Sequence, residues 1–181
     1  MRAVMMWIAR IISISIFDPT PGADFEQVLE AALAVRDALA ELKIPSYPKT
    51  TGSRGVHVYV PIVREPLQKE VWTFAKALAK ELEARHPKII TAEYRIAKRP
   101  AQRVLVDYNQ NAWGRTLASV YSVRPKPNAT VSAPVTWDEI ERGIKIEDFR
   151  LDNMAERVNR VGDLFRPLLL QKNRLKLGRF L

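Results

Sequence analysis

Cysteine is absent from the 181-residue chain. That excludes disulfide staples and thiolate metal sites, and it fits a reducing, cytoplasmic compartment. Histidine occurs only at positions 57 and 86, too sparsely for a multi-histidine zinc centre. A long hydrophobic run is also missing. The opening "MRAVMMWIARIISISIF" is interrupted by Arg10, is followed by no small-residue cleavage site, and falls short of the roughly 18 to 20 apolar residues that a membrane span needs. It reads as part of a soluble protein, with a buried strand near residues 11 to 17 and no membrane partner. No internal repeat or low-complexity segment occurs.

Acidic residues are the minority, 20 against 29 lysines and arginines, giving a formal charge of +9 and a pI near 10.0. Such an excess points to a polyanionic partner, nucleic acid being the obvious class; the alternative is a basic but otherwise ordinary enzyme. The length suits one core, so residues 1–181 are read as one domain ending in a basic, loosely held tail over 171–181.

Beyond "DPTPGADF", Asp24 and Gln27 form a capping box for a helix of about 19 residues, with Phe25, Val28, Leu29, Ala32, Leu33, Leu39 and Leu42 at helical spacing. Pro45 and Pro48 close it. Val56, Val58 and Val60 then alternate with His57 and Tyr59, a strand with one apolar face and one polar face. A second helix is expected from about Glu65 to Arg85, and "VLVDY" reads as a strand carrying Asp107. "VYSVRPKP" reads as a further strand ending in Arg124. Thr136 and Glu139 make another capping box, and a last helix is expected over about 151–170. Strand, helix, strand, helix, strand, strand, helix predicts an α+β fold: a mixed or antiparallel sheet with packed helices. Trp72, Tyr94 and Trp113 have apolar neighbours and read as packing residues rather than base-stacking platforms.

The chemistry concentrates in "KTTGSRGVHVYVPI", residues 49–62. Gly52 and Gly55 permit a sharp turn, while Thr51, Ser53, Arg54 and the following His57 surround it with donors suited to an anion. Asp18 and Asp107, both at strand ends, could converge with this turn. Strand-borne carboxylates bind hard cations, and cations with a donor-rich turn bind a triphosphate. Each residue also has a structural reading: Asp18 beside Pro19 as a turn residue, Asp107 as a hydrogen-bonding group, His57 as a half-buried strand histidine, and Arg124 as a solvated strand end.

In their order, "FDPTPGADFEQVLEAALAVRDALAELKIPSYPKTTGSRGVHVYVPI" and "VLVDYNQNAWGRTLASVYSVRPKPNATVSAPVTWDEI" strongly resemble the polymerase domain of ATP-dependent DNA ligase D, of the archaeo-eukaryotic primase superfamily. The resemblance covers about residues 15–170; the segment 1–14 matches the family's usual N-terminal region poorly. It implies a primase-polymerase core and nucleotidyl transfer with Mg²⁺ or Mn²⁺ held by an Asp-x-Asp pair and a third aspartate. Asp107 matches that third aspartate and Gln110 a position near the incoming nucleotide. Thr51, Ser53, Arg54 and His57 match the phosphate-binding turn, and Arg124 the arginine that grips the triphosphate. Without a gap, Asp18 falls on the second aspartate of the pair and Ile16 on the first, the two sharing a strand face; a deletion at the turn would make Asp18 the first instead. On either alignment the pair is one carboxylate short.

The expectation is therefore a DNA-repair polymerase of non-homologous end joining, acting on DNA ends or gapped DNA with nucleoside triphosphates, alongside a DNA ligase and a Ku-like protein. The competing expectation is a catalytically degenerate nucleotide- or DNA-binding module that assists end joining.

Overall fold

A computed structural model describes residues 11–180, and among residues 11–18 only Ile12 has its side chain described. The side chains of Ile16 and Asp18 thus lie outside the described residues, as does most of segment 1–14.

Five strands form one sheet: β1 (Ile11–Pro19), β2 (Tyr47–Thr50), β3 (Val56–Pro61), β4 (Ile90–Thr91) and β5 (Val104–Asp107). Their spatial order is β2-β3-β1-β5-β4, antiparallel throughout except for the parallel pair β4 and β5. The sheet is mixed, as the element order predicts. Because strand side chains alternate, each strand divides its residues between two environments. Ile12, Val58, Val60, Val104 and Val106 belong to the apolar core.

Helices α1 (Phe25–Glu41) and α2 (Gln68–Arg85) cover that core with Val28, Ala32, Val35 and Leu39 from one, and Val71, Phe74, Leu78 and Leu82 from the other. The start of α1 is locally encoded: Gln27 N–H donates to Asp24 Oδ1 at 2.9 Å and Asp24 N–H to Gln27 Oε1 at 3.1 Å. Helix α2 begins three residues later than the apolar pattern implies. Leu67 stands at its N-cap, and Leu67 N–H donates to Glu70 Oε2.

Three differences from the sequence reading lie in the C-terminal third. Residues 120–124 do not form a strand; Val123 makes only an isolated bridge to Val131. The 130–135 segment instead runs beside β2, with Thr50 N–H donating to Ala133 O and Val135 N–H to Pro48 O. The last long helix, α4 (Leu151–Val161), follows the short α3 (Trp137–Glu141) and stops at Gly162, whose φ of +74° leaves the helical region, so residues 166–169 form a separate 3₁₀ turn. Finally, the C-terminal tail is docked. Leu175 N–H donates to Pro61 O, Val63 N–H donates to Leu175 O, Leu177 is fully buried, and the Phe180 ring lies 6.1 Å from that of Phe74. The basic residues that make the tail look solvated alternate with leucines that enter the core.

One buried ion pair locks α3 to α4. Arg157 donates from Nη1 and Nη2 to the two oxygens of Glu139 at 2.6 and 2.7 Å, donates to Pro134 O, and lies over the Phe149 ring. Glu139 also accepts from Thr136 N–H, completing the capping box. Burial alone would raise the Glu139 pKa, but the Arg157 and Thr136 hydrogen bonds outweigh it and hold the carboxyl below its ordinary 4.5. Arg157→Ala is expected to cost about 2–3 kcal/mol in urea unfolding at pH 7, because it strands a half-dry carboxylate. A depressed carboxyl pKa contributes stability that is complete above the unfolded value and lost as pH falls through the folded one. The difference between variant and parent should therefore shrink below pH 4.5.

Candidate anion and carboxylate site

The strand register assembles a row across the sheet. Lys49 of β2 pairs with His57 of β3, His57 with Ser15 of β1, and Ser15 with Asp107 of β5. Directly opposed residues project to the same side. Lys49, His57 and Asp107 therefore share the face opposite the main core, with His57 and Asp107 two strand spacings, about 10 Å, apart. The turn over 51–55 caps the end of this row nearest β2 and β3.

Position 16 pairs instead with Val56 and Val106. By register it stands in the neighbouring row, out of step with His57 and Asp107. A register shift falls between Phe17 and Pro19.

The turn is organised from within. Thr51 Oγ1 accepts from both Ser53 N–H and Gly55 N–H at 3.1 Å, and Thr51 N–H donates to Gly55 O at 2.9 Å. Three of its N–H donors are thus committed internally, and Thr51 acts on the turn's shape. Gly52, at φ +65°, is pressed against Arg124 and the 131–132 backbone. Its carbonyl accepts from Thr130 Oγ1 at 2.6 Å. Ser53 is half-buried and Arg54 exposed on the outer side of the turn.

Behind the turn lies a cationic cluster that the sequence reading only partly recognised. Lys49 is 1% exposed; its Nζ donates to Ala118 O at 3.0 Å and to Ser132 Oγ, and stands over the Tyr59 ring. Burial and then the nearby Arg124 charge lower its pKa to about 7. His57, also buried, is pushed well below 6.5 by burial, then by Lys49 and Arg124. Its Nδ1 lies 3.3 Å from Tyr59 Oη. Arg124 has its Nε buried without a hydrogen-bond partner, and among the described residues neither Lys49 nor Arg124 has an ion pair. Buried positive charge with no described counter-charge is costly unless an anion supplies it. The sequence signal for Lys49 was its place two residues before the turn in a short extended piece, but its burial depends on the distant segment 118–132.

Asp107, at the other end of the row, is also buried. It accepts from Asn109 N–H at 2.7 Å and from Gln110 Nε2 at 3.1 Å. Gln110 therefore orients Asp107. Burial raises the Asp107 pKa, opposed by these two hydrogen bonds and by Arg115 and Arg99. Among the described residues no group of three potential metal-ligating side chains occurs. A hard cation needs no such cage when substrate phosphates supply most of its oxygens, and an ionised carboxylate with two accepted hydrogen bonds still has lone pairs to offer. Asp107 fits that donor set.

Fold and site define an α+β domain in which a buried lysine and histidine and a strand-borne carboxylate share one sheet face. The sequence model of the LigD primase-polymerase domain matches residues 14–165, and the chain belongs to that family. It is 36% identical over 151 residues to the multifunctional non-homologous end joining protein LigD of Mycolicibacterium smegmatis, covering 83% of this chain and 20% of that protein. The bifunctional LigD of Bacillus subtilis is 30% identical over 146 residues, covering 80% of this chain and 24% of that protein. The structure superposes with a TM-score of 0.79 and 34% identity on the polymerase domain of Mycobacterium tuberculosis ligase D in complex with DNA, over 88% of this chain and 54% of that one. The chain thus spans about a fifth to a quarter of these full-length relatives and about half of the solved domain. No described helix is long and apolar enough to cross a membrane.

Proposed function

We propose that this chain is a DNA-directed nucleotidyltransferase of the primase-polymerase type, adding NTPs or dNTPs to a primer 3′-hydroxyl at breaks or gaps in end joining. The observation that carries this reading is the buried pair Lys49 and His57, one strand removed from Asp107 on the same sheet face, with the half-buried Arg124 beside them. A triphosphate laid along the row would place its negative charge on the cationic cluster and its reacting end toward the carboxylate.

In this reading Lys49, His57 and Arg124 hold and orient the phosphates, with Ser53 and Arg54 closing from the turn. Asp107, with Asp18 as its proposed partner, would hold Mg²⁺ or Mn²⁺, which supplies Lewis-acid stabilisation of charge at the transferring phosphoryl group. Gln110 and Asn109 N–H keep the Asp107 carboxylate aimed. DNA ends, and a ligase and Ku-like protein acting on them, are the proposed partners.

The test is incubation with Mn²⁺, labelled nucleoside triphosphates and a gapped DNA carrying a 5′-phosphate. Chelator-sensitive extension of the primer supports the reading. Absence of extension with nucleotide binding retained would replace it by the degenerate binding module, for which Ile16 is the sequence feature.

Lys49 gives the nucleotide site a pH signature. With its pKa near 7 in the free protein, a bound phosphate would favour the charged form and draw in a proton. Nucleotide affinity is expected to fall about tenfold per pH unit above pH 7, until the bound-state pKa is reached. Calorimetry in buffers of different ionisation enthalpy should show proton uptake, absent in Lys49→Met.

A further inference from the structure

Two loops beside Asp107 carry exposed aromatic and basic side chains. Trp113 is 76% exposed, Ile96 82% and Tyr94 43%, so Tyr94 and Trp113 are not the packing residues that their apolar neighbours implied. Arg95, Lys98 and Arg115 are exposed around them, and Arg99 is half-buried. Arg115 Nη2 lies 3.4 Å from Tyr94 Oη, which joins the 94–99 loop to the 112–115 loop. Glu93 is the acidic residue on this side, engaged by Arg95.

The base of the second loop is rigid. Trp72 Nε1 donates to Asn109 Oδ1 at 2.8 Å, the Trp72 and Tyr108 rings meet edge to face, and Gln68 Nε2 donates to Asn111 O. Its tip at Trp113 and Gly114 projects from that anchor, and the space around Gly114 is open. Trp72 packs, as its neighbours implied; Trp113, 41 residues on, does not. A fixed platform with an exposed indole, an adjacent phenol and four flanking cations matches single-stranded nucleic acid. Bases present a π-face without regard to sequence, and the phosphates follow the charge. Duplex DNA keeps its internal bases stacked and offers Trp113 a face only at its two terminal pairs, whereas every base of a single strand offers one.

We propose that residues 94–99 and 112–115 form a binding surface for single-stranded nucleic acid, on which Trp113 and Tyr94 stack bases while Arg95, Lys98, Arg99 and Arg115 bind phosphates. The surface deepens the polymerase reading, on which it rests, by giving the unpaired strand of a DNA end a path beside Asp107.

The test uses the full chain with a fluorescein-labelled 12-nucleotide oligodeoxythymidylate, and a blunt duplex of equal length for comparison. Trp113→Ala is expected to weaken oligonucleotide binding about tenfold, with duplex binding changed less than twofold and Trp113→Phe restoring most of the loss. Arg115→Ala should reduce the slope of log affinity against log salt by about 0.7. Both residues are exposed, so the fold is not at stake. Parent-like oligonucleotide affinity in Trp113→Ala, equal losses for oligonucleotide and duplex, or no oligonucleotide binding by the parent at low salt would each overturn the surface. Gap extension measured in parallel separates the two readings. Failure of extension in the parent with Trp113-dependent binding intact overturns the polymerase alone, and extension with Trp113-independent binding overturns the surface alone.

Discussion

Asp107→Asn is expected to abolish nucleotide addition, by more than about 10³-fold, while leaving nucleotide binding within a few-fold of the parent and the melting temperature unchanged or higher. The size follows from what is lost: removing even one neutral donor that meets developing charge costs about 10²–10³ in rate, and the proposed cation ligand carries a full charge. Nucleotide binding should survive because the anion-receptive groups, Lys49, His57 and Arg124, stand at the other end of the row.

The stability arm follows from the raised pKa of Asp107. A carboxyl held above its unfolded value of 3.8 binds its proton more tightly in the folded state, so stability falls as pH rises from 3.8 through the folded pKa. At neutral pH the buried charge is therefore a net cost, which the isosteric amide removes. Asn retains one oxygen for Asn109 N–H, and its amide meets Gln110 at the modest cost of an exchanged hydrogen bond. Thermal melts and gap extension on the same preparation check both halves. Substantial extension by Asp107→Asn would remove this residue from the chemistry, and a large fall in melting temperature would make it a structural group.

Gly52→Ala is the second large effect, and it acts on binding. A Cβ there would lie 2.7 Å from Arg124 Cγ, 2.8 Å from the Val131 carbonyl carbon and 2.9 Å from Ser132 N. Two of those three atoms are backbone and cannot swing aside. The residue is also held at φ +65°, a region that disfavours any side chain. The turn must then lift from the 130–132 segment, breaking the Thr130 hydroxyl's hydrogen bond to Gly52 O and moving Arg124. We expect a loss of about 2–4 kcal/mol in unfolding free energy, combining strain and overpacking, and a nucleotide affinity reduced at least tenfold. Gly114→Ala is the matched control: its φ is also positive, at +74°, but nothing lies within 4 Å of the added carbon. It should cost only the local strain of about 1 kcal/mol, with nucleotide affinity unchanged. Equal effects at the two positions would show that backbone strain alone, and not the packing of Arg124 against the turn, explains the loss.

Local chemistry in the sequence was sufficient for several features. The capping boxes at Asp24–Gln27 and Thr136–Glu139 form as their spacing requires, because each is closed by atoms three residues apart. The alternation of Val56, Val58 and Val60 with His57 and Tyr59 defined β3 and its two faces, and the helices α1 and α2 followed from apolar spacing. The order of motifs was enough to name the family to which the chain belongs. The helix expected over about 151–170 instead ends at Val161, and the apolar pattern beyond Gly162 misled because those residues reach the interior through a 3₁₀ turn, as Leu168 does.

Tertiary structure alone decided the rest. Whether Lys49 is solvated or dry depends on Ala118 and Ser132, about 70 to 80 residues away, and no local pattern carries that distance. The same holds for the tail, whose Leu175 and Leu177 are buried only because the end of β3 offers Pro61 O as acceptor, and for Trp113, whose neighbours in sequence do not cover its ring. The pairing of Lys49, His57 and Asp107 in one row was set by strand register, a choice made by the whole apolar face of the sheet. Spacing along a chain fixes which residues share a helix turn or a strand face; burial and charge at a site are set by what the rest of the fold brings against them.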